Sequence, residues 1–162
     1  MPSSPAPNQP VGRIKIVLPE DRRMAGTLSL RSGNATLMCV QCLGSSHRRF
    51  DQLLGYDRSD RMEIDGDAPL GSFALTFVSQ LPRPLLDIGK YWIGLDPVGG
   101  EAWGAAVEGR TGFGIHGGSG DTLSPTRGTI RLLDEDMDEL YEVTNGMRFT
   151  VEVVSGGRGI EL

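Results

Sequence analysis

The sequence contains only two cysteines and two histidines, and it has no long hydrophobic run and no basic stripe. A membrane-spanning helix needs about 20 consecutive apolar residues, and no run approaches that length, so we expect a chain without a membrane span. The net charge of -5, with no cluster of basic residues along one segment, argues against nucleic acid as a partner.

The two cysteines, Cys39 and Cys42, are followed by His47, a spacing that superficially resembles half of a zinc site. Residues three apart on a strand point to opposite faces, and a structural zinc site needs four ligands, whereas no second C-x-x-C occurs. We therefore predict that Cys39 is a core residue, that Cys42 is a thiol at a strand end, and that the pair forms neither a metal site nor a mutual disulfide. No cofactor is expected.

Glycine and proline are abundant, with 23 and 10 residues, and they fall between short apolar runs. This pattern favours a turn-rich β protein over a helical bundle. A length of 162 residues, with 38% hydrophobic and 23% charged residues, fits one globular domain with a real core. We predict a single domain over residues 12–162, preceded by a flexible, Pro/Ser-rich tail at residues 1–11.

The first ten residues, MPSSPAPNQP, lack the charged and apolar regions of a secretory signal. We expect synthesis in the cytoplasm, so that transfer to the periplasm or to a target cell would require a dedicated export system or a leader that has been lost. An effector delivered by a secretion machine, or a phage or assembly component, would fit this expectation.

Eight stretches have the alternating or short apolar pattern that is typical of strands. They are Gly12–Pro19, Thr27–Ser32, Ala35–Cys42, Gly71–Val78, Tyr91–Asp96, Gly112–His116, Gly128–Leu133 and Met147–Val154. The first three follow one another across short connections and predict a meander. The polar segment Gly44–Gly66 predicts a long surface connection.

Helical spacing occurs once, over about Glu135–Asn145. Its inward stripe comprises Met137, Leu140, Tyr141 and Thr144. We expect the carboxylate of Asp134 to accept hydrogen bonds from the amides of the first turn, and Gly146 to end the helix.

The stretch GIHGG places His116 at the end of a predicted strand, just before Gly117 and Gly118. Glycine lets the backbone turn sharply and approach a ligand closely. An unperturbed imidazole has a pKa near neutrality, so His116 could act as a general base.

Thirteen residues later, the stretch RGTIRLL begins another predicted strand. Gly128 permits a strained turn, in which the amides of Arg127, Gly128 and Thr129 could converge on a developing oxyanion. Arg131 could share a strand face with Thr129 and hold a carboxylate through two hydrogen bonds.

In their order, these segments resemble the L,D-transpeptidase catalytic domain, also called the YkuD domain. HGG, SPTRGTIRL and DEDMDELYEVTNG match the family's histidine turn, nucleophile strand and following helix, and MRFTVEVV matches its closing strand. GDAPLGSF and the segment from IGLDPVGGEAWG to GRTGFGIHGG resemble its earlier strands, so the resemblance covers about residues 60–154. It implies a mainly β sandwich or flattened barrel with one short helix in the C-terminal half, in agreement with the strand pattern.

Members of this family cut a tetrapeptide stem of peptidoglycan at an L,D bond, forming a thioester on a cysteine and passing the acyl group to an amine or to water. By position, the resemblance implies that His116 is the base, that Gly128 is the oxyanion-hole glycine and that Thr129 occupies the nucleophile position. The residues that would contact the substrate are Gly117, Thr126, Arg127 and Arg131.

Two positions depart from the family pattern: Arg127 stands where histidine is usual, and Thr129 stands where the nucleophilic cysteine should be. A threonine hydroxyl has a far higher pKa than a thiol and lies on a crowded β-carbon, and arginine cannot accept a proton. We therefore interpret the site as degenerate, a cleft that binds a peptidoglycan stem peptide or a related peptide with little or no catalysis.

Two alternatives stay open. One is an active peptidoglycan L,D-transpeptidase or carboxypeptidase-type enzyme, such as a secreted effector, with Thr129, Ser124 or Thr126 as its nucleophile. The other is a purely structural or interaction module, whose filled cleft leaves a protein partner to dock on the sheet. An ancestral site requires His116 and Thr129 to lie close together at the mouth of one cleft, with Arg131 in that cleft or bracing its wall. The oligomeric state does not follow from the sequence.

Overall fold

A computed structural model of the chain describes residues 11–47, 60–62, 65–160 and 162. This part of the chain forms two β-sheets and two helices, and neither described sheet closes into a barrel. The predicted mainly β class, a β-sandwich, is confirmed. Neither of the described helices has the length and apolar character that crossing a membrane requires.

The elements follow one another with short connections over most of the described chain. The strands are β1 Val11–Leu18, β2 Gly26–Ser32, β3 Ala35–Cys42, β4 Gly71–Thr76, β5 Ser79–Leu85, β6 Gly89–Gly94, β7 Pro97–Gly99, β8 Gly114–His116, β9 Ile130–Arg131 and β10 Arg148–Ser155. The helices are α1 Gly100–Val107 and α2 Asp134–Thr144. Strands β5 and β7 and helix α1 were not predicted, so the expectation of one helix was incomplete.

The larger sheet has six strands in the order β3-β2-β1-β10-β4-β7, and the smaller has four in the order β5-β6-β8-β9. Strand β1 pairs antiparallel with β2, which pairs antiparallel with β3, so the predicted meander is confirmed. On its other side β1 pairs in parallel with β10, in continuous register from Val11↔Arg148 to Leu18↔Ser155.

The core lies between the inner face of the larger sheet, the smaller sheet and the two helices. Alternation along β1 turns Ile14, Ile16 and Leu18 inward, while Arg13 and Lys15 point outward. The core also contains Leu28, Leu30, Phe73, Ile93, Ala102, Ile115, Leu140, Phe149 and Val151. Burying each large apolar side chain contributes roughly 1.5–3 kcal/mol, so this cluster supplies the main drive for folding.

Helix α2 presents its predicted stripe to the core. Met137, Leu140 and Thr144 are buried, and the half-buried Tyr141 stacks on Tyr91 with ring centroids 4.3 Å apart. The predicted end is also present, since Gly146 has a φ of +77°, a conformation that favours glycine.

The prediction that Asp134 caps the first turn of α2 is wrong. The residue at the N-cap is Leu133, and no side chain caps this end. The carboxylate of Asp134 instead accepts hydrogen bonds from the amides of Gly118 and Gly120, in the loop that follows β8. These two loop amides have no partner in a strand. They therefore donate to the carboxylate of Asp134, which was expected to accept from the amides of the first turn of α2.

The prediction that Cys39 is a core residue is wrong, whereas Cys42 is the last residue of β3, as predicted. Both thiols are free, but Cys39 is exposed and Cys42 is buried, since Met38 and Cys42 face the core. Burial raises the pKa of the Cys42 thiol to about 12. Consecutive apolar residues from Leu37 to Val40 hide the alternation, and β3 packs only one face as an edge strand, so sequence pattern alone did not fix which face is inward.

Most of the predicted surface connection Gly44–Gly66 lies outside the described residues, as do residues 1–10 of the predicted tail. At its described beginning the connection is not at the surface: Ser45 and Ser46 are buried, and the amide of Ser46 donates to the Asp67 carboxylate at 2.9 Å. Val11, which the sequence placed in the tail, already begins β1.

Candidate active site

The two halves of the predicted motif meet because β8 and β9 are adjacent parallel strands. His116 is the last residue of β8, and Thr129 directly precedes β9. The His116 Nε2 and Thr129 Oγ1 atoms are 2.7 Å apart, which is hydrogen-bond distance. The expected proximity of these two residues is thus present.

The other ring nitrogen of His116 fixes the tautomer. Nδ1 lies 2.7 Å from the carbonyl oxygen of Gly117. Since a carbonyl can only accept, Nδ1 must carry the proton, and Nε2 of the neutral ring is left to accept the proton of the Thr129 hydroxyl. This arrangement has the geometry of a nucleophile and its general base.

The surroundings of His116 favour its neutral form. Burial lowers the pKa of the imidazole, and the positive charge of Arg131 acts in the same direction. The hydrogen bond to Gly117 and the charge of Asp87 oppose this shift. Because the net direction is downward from the ordinary value of 6.5, the ring is an available proton acceptor near pH 7.

Trp92 covers one face of His116. The two residues are cross-strand partners on β6 and β8, and their rings stack with centroids 5.5 Å apart and an interplanar angle of 23°. A Cβ atom at Gly114 would overlap the Trp92 ring, so glycine is required there. The sequence did not single out Trp92, although a large aromatic residue whose ring lies over a glycine of the next strand is a recognisable pair once the register is known.

Arg131 is a buried brace of the cleft wall. Its Nη1 donates to the carbonyl oxygens of Gly117 at 2.6 Å and of Asp87 at 3.2 Å, and its Nε donates to that of Ser124 at 2.9 Å. Two loops that surround His116, the β5–β6 turn and the β8–β9 connection, are therefore tied to one guanidinium. These donors serve backbone carbonyls, and a direct contact of Arg131 with substrate stays a prediction.

The turn before β9 holds Thr129 from its backbone. The Thr126 hydroxyl accepts from the Thr129 amide at 2.9 Å and donates to the Thr129 carbonyl at 3.0 Å. The amide of Thr129 is thereby occupied, contrary to the expected convergence of three free amides on an oxyanion. Both hydrogen bonds of the Thr126 hydroxyl serve this turn, which leaves it poorly suited to act as a substitute nucleophile.

Gly128 adopts a φ of +92°, and a Cβ atom there would overlap the guanidinium of Arg110 and the carbonyl of Gly66. The position therefore requires glycine for its conformation and for its space. The side chain of the preceding residue, Arg127, is exposed and lines the cleft.

Arg110, which was not predicted from the sequence, holds the turn at Gly128 through hydrogen bonds to backbone carbonyls. Its Nη1 donates to the carbonyl oxygens of Arg61 at 2.6 Å and Asp67 at 3.0 Å, and its Nη2 donates to those of Gly66 and Gly128, each at 3.0 Å. Burial lowers the pKa of this guanidinium to about 10. No local pattern marks these hydrogen bonds of Arg110, because the four carbonyl oxygens belong to residues 18 to 49 positions away in the sequence.

Asp134 fixes the glycine-rich loop after His116. Its Oδ1 accepts from the Gly118 amide at 2.6 Å, and its Oδ2 accepts from the Gly120 amide at 3.1 Å. A Cβ atom at Gly117 would lie 2.6 Å from Asp134 Oδ1. Gly117 is thus needed for the close approach of the carboxylate, and its own carbonyl orients His116.

These residues surround an open cleft of about 370 Å³. Trp92, His116, Thr129 and Arg131 line it, and Leu86, Ile88 and Arg127 contribute apolar and cationic surface. Leu86 is 92% exposed. The cleft is not filled by side chains, so the premise of the purely structural alternative does not hold. Among the residues that the structure describes, no three histidine, cysteine or acidic side chains are grouped so that they could hold a metal ion.

The sequence matches no protein-family model and no curated protein. The fold is similar to that of the helical cell shape determining protein Pgp2 from Campylobacter jejuni, with a TM-score of 0.57, 14% identity, and coverage of 92% of this chain and 50% of that one. Bd1075 from Bdellovibrio bacteriovorus is similar with a TM-score of 0.57, 14% identity, and coverage of 98% and 52%. At these identities the likeness shows the fold, and this chain spans about half the length of each.

Proposed function

We propose that the cleft binds a short peptide of the peptidoglycan stem type and carries out little or no catalysis. The observation that carries this proposal is the closed hydrogen-bond ring between Thr126 and Thr129, which occupies an amide that an oxyanion would need. Thr129 also has a less acidic and more crowded nucleophilic atom than the cysteine expected in an L,D-transpeptidase-like site. The fold likeness to a cell shape determining protein supports a cell-wall ligand.

The cleft has the chemistry to hold such a peptide. Trp92, Leu86 and Ile88 offer apolar surface for methyl groups and aliphatic stems, and the exposed Arg127 offers a charge to a carboxylate. Arg131 and Asp134 hold the surrounding loops through backbone hydrogen bonds, so the binding surface is preformed.

Calorimetric titration with a synthetic tetrapeptide stem tests binding. We expect Arg127→Ala to weaken affinity about fivefold, the effect of losing one partly exposed charge contact. Arg83→Ala removes an exposed arginine from β5 outside the cleft, and we expect it to leave affinity unchanged. No measurable binding by the unmodified protein, or an equal loss in both variants, would contradict the proposal.

Mass analysis of stem peptides after incubation tests catalysis. We expect neither trimming nor cross-linking by the unmodified protein. Thr129→Cys alone should restore little activity, because Arg127 still cannot accept a proton. The double change Thr129→Cys with Arg127→His should restore more.

A second candidate, a threonine-based hydrolase, is favoured by the 2.7 Å contact between Thr129 Oγ1 and His116 Nε2. In this reading Oγ1 attacks the carbonyl carbon of the L,D bond while His116 takes its proton, and the leaving amine receives that proton as an ester forms on Thr129. Water, deprotonated by His116, then attacks the ester carbonyl, the bond between the acyl carbon and Oγ1 breaks, and Oγ1 takes the proton back from His116. Turnover by the unmodified protein that is lost in Thr129→Val and retained in Thr129→Ser would replace the first proposal with this one.

A further inference from the structure

A second concave surface lies on the outer face of the six-stranded sheet. It is a groove of about 340 Å³, which has room for several water-sized groups at about 30 Å³ each. Arg13 and Lys15 on β1 and Arg31 on β2 line it with exposed side chains. None of the residues that line the cleft of His116 contributes to this groove, so the two surfaces are separate.

The register of the strands brings these three positive charges together. Arg13 lies directly opposite Arg31 on the antiparallel pair β1–β2, so their Cβ atoms are about 5 Å apart. Lys15 lies two residues further along the same face of β1, a rise of about 7 Å. Like charges directly opposite one another on paired strands destabilise a sheet. This arrangement therefore costs stability, in a chain whose net charge is -5.

The positive charge of the groove has little compensation from within the protein. Among the described residues, none of the three cations forms an ion pair. Arg31 donates one long hydrogen bond, 3.4 Å, to the carbonyl of Asn34. Glu152 is the register partner of Lys15 and also lines the groove. One carboxylate against three cations leaves a net positive surface.

We propose that this groove binds a phosphate-bearing ligand. The planar guanidinium groups of Arg13 and Arg31 present paired N–H donors that match two phosphate oxygens, and Lys15 adds a third charge. Thr150 and Asn34, which also line the groove, carry a hydroxyl and an amide that can donate to the remaining oxygens. The volume exceeds that of a single phosphate and fits a ligand with two linked phosphates or a phosphate monoester.

Titration with pyrophosphate at low ionic strength tests this site, with affinity measured by calorimetry and with amide chemical shifts locating the bound probe. The double variant Arg13→Gln/Arg31→Gln should bind at least tenfold more weakly, since both paired donors are lost. The matched control Arg83→Gln/Arg158→Gln removes two exposed arginines elsewhere and changes the net charge equally, and we expect its affinity to stay within twofold.

Four results would overturn the assignment. Equal weakening in the two double variants, or no binding by the unmodified protein, would show that the groove is not a site. Tighter binding of malonate than of pyrophosphate would identify a dicarboxylate instead. Self-association of the unmodified protein at low salt that the Arg13→Gln/Arg31→Gln variant loses would identify an acidic surface of a second copy as the occupant. Stem-peptide binding at the cleft should be the same in both variants, whatever the outcome.

Discussion

The two sheets differ in how they are held together. In the six-stranded sheet β1 and β10 pair over eight residues in unbroken register and turn alternate side chains into the core. In the four-stranded sheet, β8 has three residues and β9 has two, yet these strands carry the candidate site. Such short ladders cannot fix the loops that follow them. Side chains that bind backbone carbonyls and amides do so instead: the buried Arg110 and Arg131 and the half-buried Asp134.

Replacing Arg110 tests most directly whether side chains hold the loops next to the four-stranded sheet. We expect Arg110→Met to lower the free energy of unfolding by about 4 kcal/mol, because four buried or half-buried carbonyls lose their donor and each loss costs about 1 kcal/mol. Urea denaturation measures the change. Arg83→Met, at an exposed position on β5, should change it by less than about 0.5 kcal/mol. A loss below about 1 kcal/mol for Arg110→Met would show that the loops near Gly128 are held by other contacts.

The contribution of core packing to the six-stranded sheet is tested at Ile16, which is fully buried on β1. We expect Ile16→Ala to cost about 3 kcal/mol through lost burial and a residual cavity. Because Ile16 does not line the cleft, the ring resonances of His116 should keep their chemical shifts and their titration midpoint. A shifted midpoint in this variant would show that a packing loss at β1 reaches the cleft.

A comparison of alanine substitutions at Gly128 and Gly112 distinguishes the cost of backbone strain from the cost of steric overlap. Both have positive φ, but a Cβ atom at Gly112 would meet no heavy atom within 4 Å, whereas one at Gly128 would overlap Arg110 and Gly66. We expect Gly112→Ala to cost about 1 kcal/mol and Gly128→Ala about 2 kcal/mol more. If thermal or urea unfolding shows equal losses of stability in the two variants, the side chain of Arg110 moves away from a Cβ atom at position 128 at little cost.

The smallest effect concerns pH. Burial lowers the pKa of His116 in the folded protein, so the unfolded chain binds more protons once the pH falls below the ordinary value of about 6.5. The free energy of unfolding must then decrease as the pH falls through this window, until the lowered pKa of the folded state is reached. In His116→Gln this part of the pH dependence should disappear, and an unchanged slope between pH 7 and pH 5 would contradict the assignment.

Much of the fold follows from patterns within single segments. Alternation predicts β1, β2 and β10, and helical spacing predicts α2, because in each case one face packs on the core. Strand β5, with the sequence SQLPRPL, was not predicted because proline disfavours strands, yet it lies at the edge of its sheet, where a missing N–H donor is tolerated. Helix α1 begins with glycine and contains a second one, and its formation depends on burying Ala102 and Ala105.

The residues of the candidate site also fall into two groups, those that local sequence predicts and those that it does not. His116 and Thr129 could be found from the sequence because each lies next to glycines that indicate a turn. Arg110 and Trp92 could not, because their contacts come from segments that only the folded chain brings together. Asp134 was recognised as an acidic residue at a helix start, but its partners are 14 and 16 residues earlier. Local rules therefore assigned its carboxylate to the wrong amides.

The parallel pairing of β1 with β10 also has a consequence for synthesis on the ribosome. These neighbours in the middle of the larger sheet are the first and last strands of the described chain, separated by about 130 residues between Leu18 and Arg148. Closing so long a loop is entropically costly, and contacts so distant in sequence slow folding. The meander of β1, β2 and β3 emerges first, with one edge of β1 still unpaired. A nascent chain that stops before Arg148 keeps this edge open, and an open strand edge is a surface on which chains aggregate.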